Sequence, residues 1–487
     1  MERPMREMLR QSARRVSLHM PATGGRGPFG RVDPYRLETT ELPETDDLYR
    51  AKGAVAQAQA LAARSAGAAF TAMLHGGSTA GVQAMLLYAA GRGETVILPR
   101  NCHLSALHLC ALAGIEPVFA EASYTARGRP YTSFASYQRA MERHPKAKAV
   151  LAVRPDYYGL MGELEPLAQA AHEGGMLLLC DEAHGATLNW RRDAQSALAQ
   201  GADLAVQSAH KTLPALNAGA WLHGAEGVDA ARLGSLLPMV QTSSPSFVNL
   251  LSLDEARAWM DRHGEGACEG LGAALLRFYE KARPLGYDRA QEDAPPGFGY
   301  DPLRLALAGP MGGYALGEAL RLAGIDVELC DGQCVVGILP LRGYEGILKK
   351  LLAALKNISR RARFSSPLTA GGAVNSGSRG EAPGGGWGVA PMPFPPSMPP
   401  LPPRILPLAE AAFAPREGVP LLQSVGRVSA AHCGLYPPGV ALVTAGEAVT
   451  PELAAFLGSQ DPERLFGLTP EGLLPCVAGL SSINKGV

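Results

Sequence analysis

This chain of 487 residues lacks the features that would place it in several broad classes. Its eight cysteines (Cys102, Cys110, Cys180, Cys268, Cys330, Cys334, Cys433 and Cys476) include no CxxC pair. A chain this long buries enough core to need no covalent staples, so reduced thiols in a cytoplasmic protein are expected. No apolar run is long enough to cross a bilayer. The basic N-terminus has no apolar core or small-residue cleavage site, so no signal peptide is expected. Forty-five basic residues balance forty-five acidic ones, and zero net charge gives no general attraction to nucleic acid or anionic membrane. There is no GxxxxGK[ST] loop to cradle a nucleotide, so Asp181-Glu182-Ala183-His184 is not read as the DEAH box of an ATPase. Histidine spacing suggests no zinc site.

What is present suits a soluble globular protein of two or three domains, with 47% hydrophobic and 18% charged residues. Residues 54–66 are Ala-rich and read as a helix. Near-continuous apolar runs follow at 95–101, 116–120, 149–153, 176–182, 203–210 and 218–224, separated by helical stretches such as 79–90, 103–113 and 165–173. Runs of this kind are strands buried on both faces, and their alternation with helices predicts an α/β domain with a mostly parallel sheet. The expected division is an N-terminal segment (1–38), a large domain (39–265), a smaller α/β domain (266–368), a Gly/Pro-rich linker (369–404) and a C-terminal domain (405–487).

In such sheets ligands gather at the carboxyl ends of the strands. Asp181 and His184 end one run, and Ser208, His210 and Lys211 end another. A strand-end carboxylate and a lysine are two requirements of pyridoxal phosphate: the acid keeps the pyridine nitrogen protonated, and the amine carries the cofactor as a Schiff base. Most lysines are surface charges, but Lys211 follows the apolar run Leu204 to Val206. Gly76-Gly77-Ser78-Thr79-Ala80-Gly81 precedes a helical stretch. Such a loop either binds a phosphate through free N–H groups, the helix dipole and hydroxyls, or simply caps the helix. His103, just past a strand run, is placed to stack on a ring; a structural hydrogen bond is the commoner role for a lone histidine.

Taken in order, these stretches resemble the Orn/Lys/Arg decarboxylases, fold-type-I pyridoxal-phosphate enzymes, in the short bacterial form without a wing domain. Thr39 to Pro43 with Asp46 to Leu48 resembles TELPxxDDL, and His75 to Gly81 resembles NGSTxG. Arg100 to Ser105 resembles RNxHKS, and Pro155 to Gly159 resembles PTYYG. Asp181 to Gly185 resembles DEAHG, and Gln207 to Leu213 resembles QSxHKTL. Gly426 to Ala430 and Tyr436 to Gly439 resemble GRxSA and YPPG. The resemblance implies that Lys211 holds the cofactor, Asp181 pairs with its ring nitrogen, and His103 stacks on its face. It implies that Ser78, Thr79, Ser208 and His210 hold the phosphate, with His184 beside the cofactor. Thr242 to Ser246 resembles TTSPS, so Thr242 and Ser243 would approach a partner's site in a homodimer. The chain departs from the family at His19 to Gly25, where HxPGHKxG is altered at Ala22, Thr23 and Gly24. It departs again at Ala445, which stands where proline is usual. These changes bear on substrate identity and oligomer contacts and leave the cofactor residues intact.

The implied reaction is decarboxylation of a basic amino acid, with arginine ahead of lysine and ornithine. An aminotransferase or other lyase on the same scaffold remains open, because fold and cofactor do not fix which Cα bond breaks. A catalytically weak regulatory or binding relative is a further alternative. A basic substrate side chain calls for a carboxylate at the far end of its pocket, for which Glu447, Glu328 and Asp331 are candidates.

Overall fold

The computed structural model describes residues 4–23, 33–42, 44–364, 399–436 and 439–480. The linker from 369 to 398, Gly24 and Gly25 of the N-terminal motif, Pro43, and Pro437 with Pro438 lie outside them.

The large domain is built on a seven-stranded sheet. Its order is Phe70–Leu74, Ala220–Gly224, Leu204–Gln207, Leu177–Asp181, Ala149–Val153, Thr95–Pro99, Glu116–Ala120. Only Ala220–Gly224 runs against the others. All six apolar runs of the sequence are strands, and the expected helices form over Ala54–Ala66, Gly77–Ala89, Leu104–Ala113 and Glu165–Glu173. The central strands are buried along nearly their whole length because helices pack on both faces. The seventh strand, Phe70–Leu74, was not among the predicted runs. It lies at the sheet edge, and its residues alternate between buried and half-buried.

Gly77–Ala89 lies closely against the sheet because of Gly81. A Cβ there would come within 2.3 Å of Val206 Cγ2 and 2.8 Å of Leu74 Cδ1. The helix that follows the candidate phosphate loop is thus seated directly on the strand that leads to Lys211.

A 36-residue helix, Phe247–Ala282, runs without a break through the expected boundary at 265–266 and joins the large domain to the small one. The small domain holds a four-stranded sheet ordered Asp288–Arg289, Leu305–Ala308, Cys334–Gly337, Leu329–Cys330, covered by Gly313–Leu322 and Tyr344–Phe364. The N-terminal segment is not independent. Its strand Val16–Leu18 pairs in parallel with Ile325–Val327.

In the C-terminal domain, helix Pro451–Gly458 packs with the short strands Cys433–Leu435, Val440–Val443 and Leu474–Val477. A buried ion pair ties it to the large domain. Arg100 reaches both oxygens of Glu447, at 2.8 and 2.7 Å, and also donates to the carbonyl of Leu442. Arg404 stands 3.7 Å from the same carboxylate, and both guanidiniums lie over the ring of Phe119.

Replacing Glu447 with Ala should destabilise the chain by about 3–5 kcal/mol, because Arg100 is left buried without its counter-charge; urea unfolding measures this. Nearby, burial pushes the imidazole of His432 down from 6.5 to about 4. The unfolded chain therefore takes up this proton first, and stability present above pH 6.5 is lost as pH falls toward about 4. The thermal midpoint should drop across that window, and His432→Gln should remove part of the drop.

Candidate active site

Asp181 ends the central strand Leu177–Asp181, between Val153 and Val206 of its two parallel neighbours. The next strand, Leu204–Gln207, passes through Ser208 into one helical turn, Ala209–Thr212, which carries Lys211. Acid and amine thus leave adjacent strands at the same sheet edge. The carboxylate of Asp181 is buried and accepts from the N–H of Ala183 at 3.2 Å.

Lys211 makes no ion pair among the described residues. Its Nζ lies 3.2 Å from Nε2 of His184 and 5.5 Å from the ring centre of Tyr157. Burial lowers the pKa of Lys211, and the charge of Arg304 lowers it further. Asp181 and Glu328 act in the opposite direction. His184 is buried, 4.6 Å from Tyr157 ring to ring, and 3.1 Å from Nη2 of Arg304 through Nδ1. Burial, then Lys211, then Arg304 hold its pKa well below the imidazole value.

His103 caps helix Leu104–Ala113. Its Nδ1 accepts from the N–H of Ser105 and lies 2.8 Å from Ser105 Oγ. The residue is exposed at the site; partial burial of its imidazole lowers its pKa, and the charge of Asp181 acts in the opposite direction.

Helix Gly77–Ala89 begins with no side-chain cap, so the N–H groups that follow Gly77 in its first turn are free for an anion. The hydroxyl of Ser208 donates to Ser78 Oγ at 2.8 Å across this end, and exposed Thr79 follows. Gly77 has φ +71° and donates to the carbonyl of Ala218, itself in the left-handed region at φ 66°. His210 lies 3.2 Å through Nδ1 from the carbonyl of Gly219. Gln241 holds the loop from the other side, accepting from the N–H groups of His75 and Gly76.

The residues present fit a pyridoxal phosphate. An uncapped helix end with two facing hydroxyls suits its phosphate, a strand-end carboxylate suits its ring nitrogen, and a lysine without an ion-pair partner suits its carbonyl.

The three candidate substrate carboxylates separate. Glu328 is half-buried, accepts from the N–H of Met20 at 3.0 Å, and its charge reaches Lys211 and Arg304. Glu447 is consumed by Arg100, and Asp331 caps its own turn by accepting from the N–H groups of Gln333 and Cys334 at 2.7 Å. The substrate role considered for these two therefore falls away, because neither carboxylate is free. Thr242 and Ser243 are exposed in the single chain. Sequence reasoning missed Arg304, Tyr157 and Gln241. The only signal for Arg304 was a cation heading the apolar run Leu305–Ala308; Tyr157 was quoted in a motif without a role.

The sheet, the helical crossovers and the amine–carboxylate pair define a fold-type-I pyridoxal-phosphate enzyme. Residues 36–271 match the family model of the Orn/Lys/Arg decarboxylase major domain. The chain is 32% identical over 472 residues to uncharacterized protein YaaO of Bacillus subtilis, covering 93% of each. It is 26% identical to arginine decarboxylase of the same organism, over 94% of this chain and 93% of the relative. Lysine decarboxylase A from Pseudomonas aeruginosa superposes with TM-score 0.74 at 20% identity, over 91% of this chain and 74% of that one. The chain belongs to the Orn/Lys/Arg decarboxylase family, and it is a pyridoxal-phosphate-dependent amino-acid decarboxylase.

Ser78→Ala and Ser208→Ala should each weaken cofactor binding by about tenfold, ~1.4 kcal/mol, as expected for losing a hydrogen bond to a charged group. Titration of the apoenzyme with pyridoxal phosphate, followed by absorbance, measures this.

Proposed function

We propose that this enzyme removes the α-carboxylate of a basic amino acid as carbon dioxide and releases the amine, with arginine the first choice and lysine or ornithine next. The observation that carries this reading is the set of groups acting on Lys211: Asp181, His184 and the half-buried carboxylate of Glu328. The name of the Bacillus relative supports arginine.

When bound, pyridoxal phosphate supplies an electron sink for the pair released at Cα. Asp181 would hold the ring nitrogen in its charged form from the sheet side. His103 would cover the exposed ring face. Ser78, Thr79, Ser208 and His210 would anchor the phosphate together with the N–H groups that follow Gly77 in the first turn of Gly77–Ala89. Lys211 would hold the cofactor and give way to the substrate amine. Glu328 would receive the positive end of the substrate. A second proton-carrying ring, His184, stands within reach of Lys211 Nζ.

The reading includes a homodimer in the cytoplasm. Exposed Thr242 and Ser243 fit a role at a partner's site, and eight free cysteines fit a reducing compartment. Among the described residues no helix is long and apolar enough to cross a membrane.

A panel of arginine, lysine and ornithine, read by carbon dioxide and amine release against keto-acid formation, tests the reaction and the substrate together. Carbon dioxide from arginine is expected, whereas keto acid without carbon dioxide would assign an aminotransferase. Lys211→Ala should lose both turnover and the yellow absorbance of bound cofactor. Asp181→Ala should keep the colour and lose most of the activity. Glu328→Gln should raise KM for the basic substrate more than it lowers kcat.

A further inference from the structure

We infer that Arg304 is a positioning residue that fixes the proton of His184 on Nε2 and thereby holds Lys211 as a neutral amine. The inference rests on Lys211 being the cofactor lysine and adds a role for a residue of the small domain.

The argument is one of donors and acceptors. Arg304 Nη2 lies 3.1 Å from His184 Nδ1, and His184 Nε2 lies 3.2 Å from Lys211 Nζ. A guanidinium has donors and no acceptor, so Nδ1 must receive with its lone pair. A neutral imidazole with a bare Nδ1 carries its proton on Nε2. That N–H faces Nζ, which can accept only as an uncharged amine. The other assignments fail. A proton on Nδ1, in the neutral ring or the imidazolium, would face the N–H of Arg304. An ammonium donating to Nε2 while Arg304 donates to Nδ1 would require an imidazolate anion.

The bonding of Arg304 sets it apart from other buried arginines of this chain. Arg100, Arg129 and Arg154 each donate to backbone carbonyls, of Leu442, Ala290, and Gly162 with Gln195. Arg304 makes its one side-chain hydrogen bond among the described residues to His184, while its Nε and Nη1 are buried without a partner. It heads the strand Leu305–Ala308, so the small domain sets its position.

The surrounding charges agree. Lys211 is faced by Asp181 from the sheet, by Glu328 and Arg304 from the small domain, and by His184 and Tyr157 from the loops. Burial and Arg304 oppose its charge, while the two carboxylates favour it. His184 is faced by Lys211, Arg304, His210 and His103, and all four cations or potential cations disfavour an imidazolium. Arg304 is balanced by Asp301, Glu328, Asp156 and Tyr157. The consequence is chemical: a neutral Nζ keeps the lone pair through which Lys211 would hold the cofactor.

The test uses the apoenzyme. Acetic anhydride labelling of Lys211 across pH, located by peptide mass, gives the midpoint of amine reactivity. That midpoint should lie below the ordinary lysine value and should rise by about one pH unit in Arg304→Met, a tenfold loss of reactive amine at a fixed lower pH. Arg304→Lys restores a donor and a charge and should lie close to the parent. An unmoved midpoint in Arg304→Met, or an equal rise in Arg304→Lys, overturns the inference. Nitrogen-15 histidine spectra of the unsubstituted apoenzyme, with His184 assigned by its loss in His184→Gln, should show the Nε2–H form at neutral pH. An Nδ1–H form or an imidazolium overturns the inference without any Arg304 variant. Borohydride fixation of the cofactor reads the other premise separately: attachment to a lysine other than Lys211 ends the site assignment, whatever the state of His184.

Discussion

The site depends on a constraint of strand order. An amine and a carboxylate proposed to serve opposite ends of one flat ring must be held apart without neutralising each other. Placing Asp181 at the end of one strand and Lys211 one helical turn past its neighbour meets that requirement. Parallel register aligns the carboxyl ends of both strands, and Gly81 lets helix Gly77–Ala89 sit on the same strand without a gap. The same close packing sets where the helix begins, beside Ser208. Acid, amine and anion cradle are therefore positioned by one sheet rather than by loops that would need ordering separately.

Much of this was legible in the chain. Six buried runs became strands because a doubly covered sheet demands continuous apolar residues, and composition shows that directly. Phe70–Leu74 was not legible, because an edge strand with a half-exposed face carries a weaker pattern. That Asp181, Lys211 and Ser208 lie at one sheet edge was legible because each ends an apolar run. The approach of Arg304 was not, since it depends on the small domain folding back to His184, 120 residues earlier, and no local spacing encodes that return. The expected boundary at 265–266 falls inside a helix of 36 residues that serves both domains.

The fate of the candidate carboxylates shows why charge type alone is a poor guide to function. Glu447 and Asp331 are carboxylates like Glu328 on paper. One neutralises a buried guanidinium between domains, and the other closes a turn by accepting two backbone N–H groups. Structural demand uses them up. Glu328 gives one oxygen to the N–H of Met20, and its field extends to Lys211.

That contact with Met20 belongs to a wider arrangement. Strand Val16–Leu18 is paired with Ile325–Val327, so the first segment of the chain is bound to the small domain. A few residues further on, the N–H of Ala22 donates to the carbonyl of His210, immediately before the lysine. The small domain and its attached N-terminal strap therefore grip Lys211 from two directions, through the backbone of its own turn and through the Arg304–His184 relay. Arg304 and Ala22 belong to the same body, so the contacts that bracket Lys211 are tied to a single mechanical coordinate.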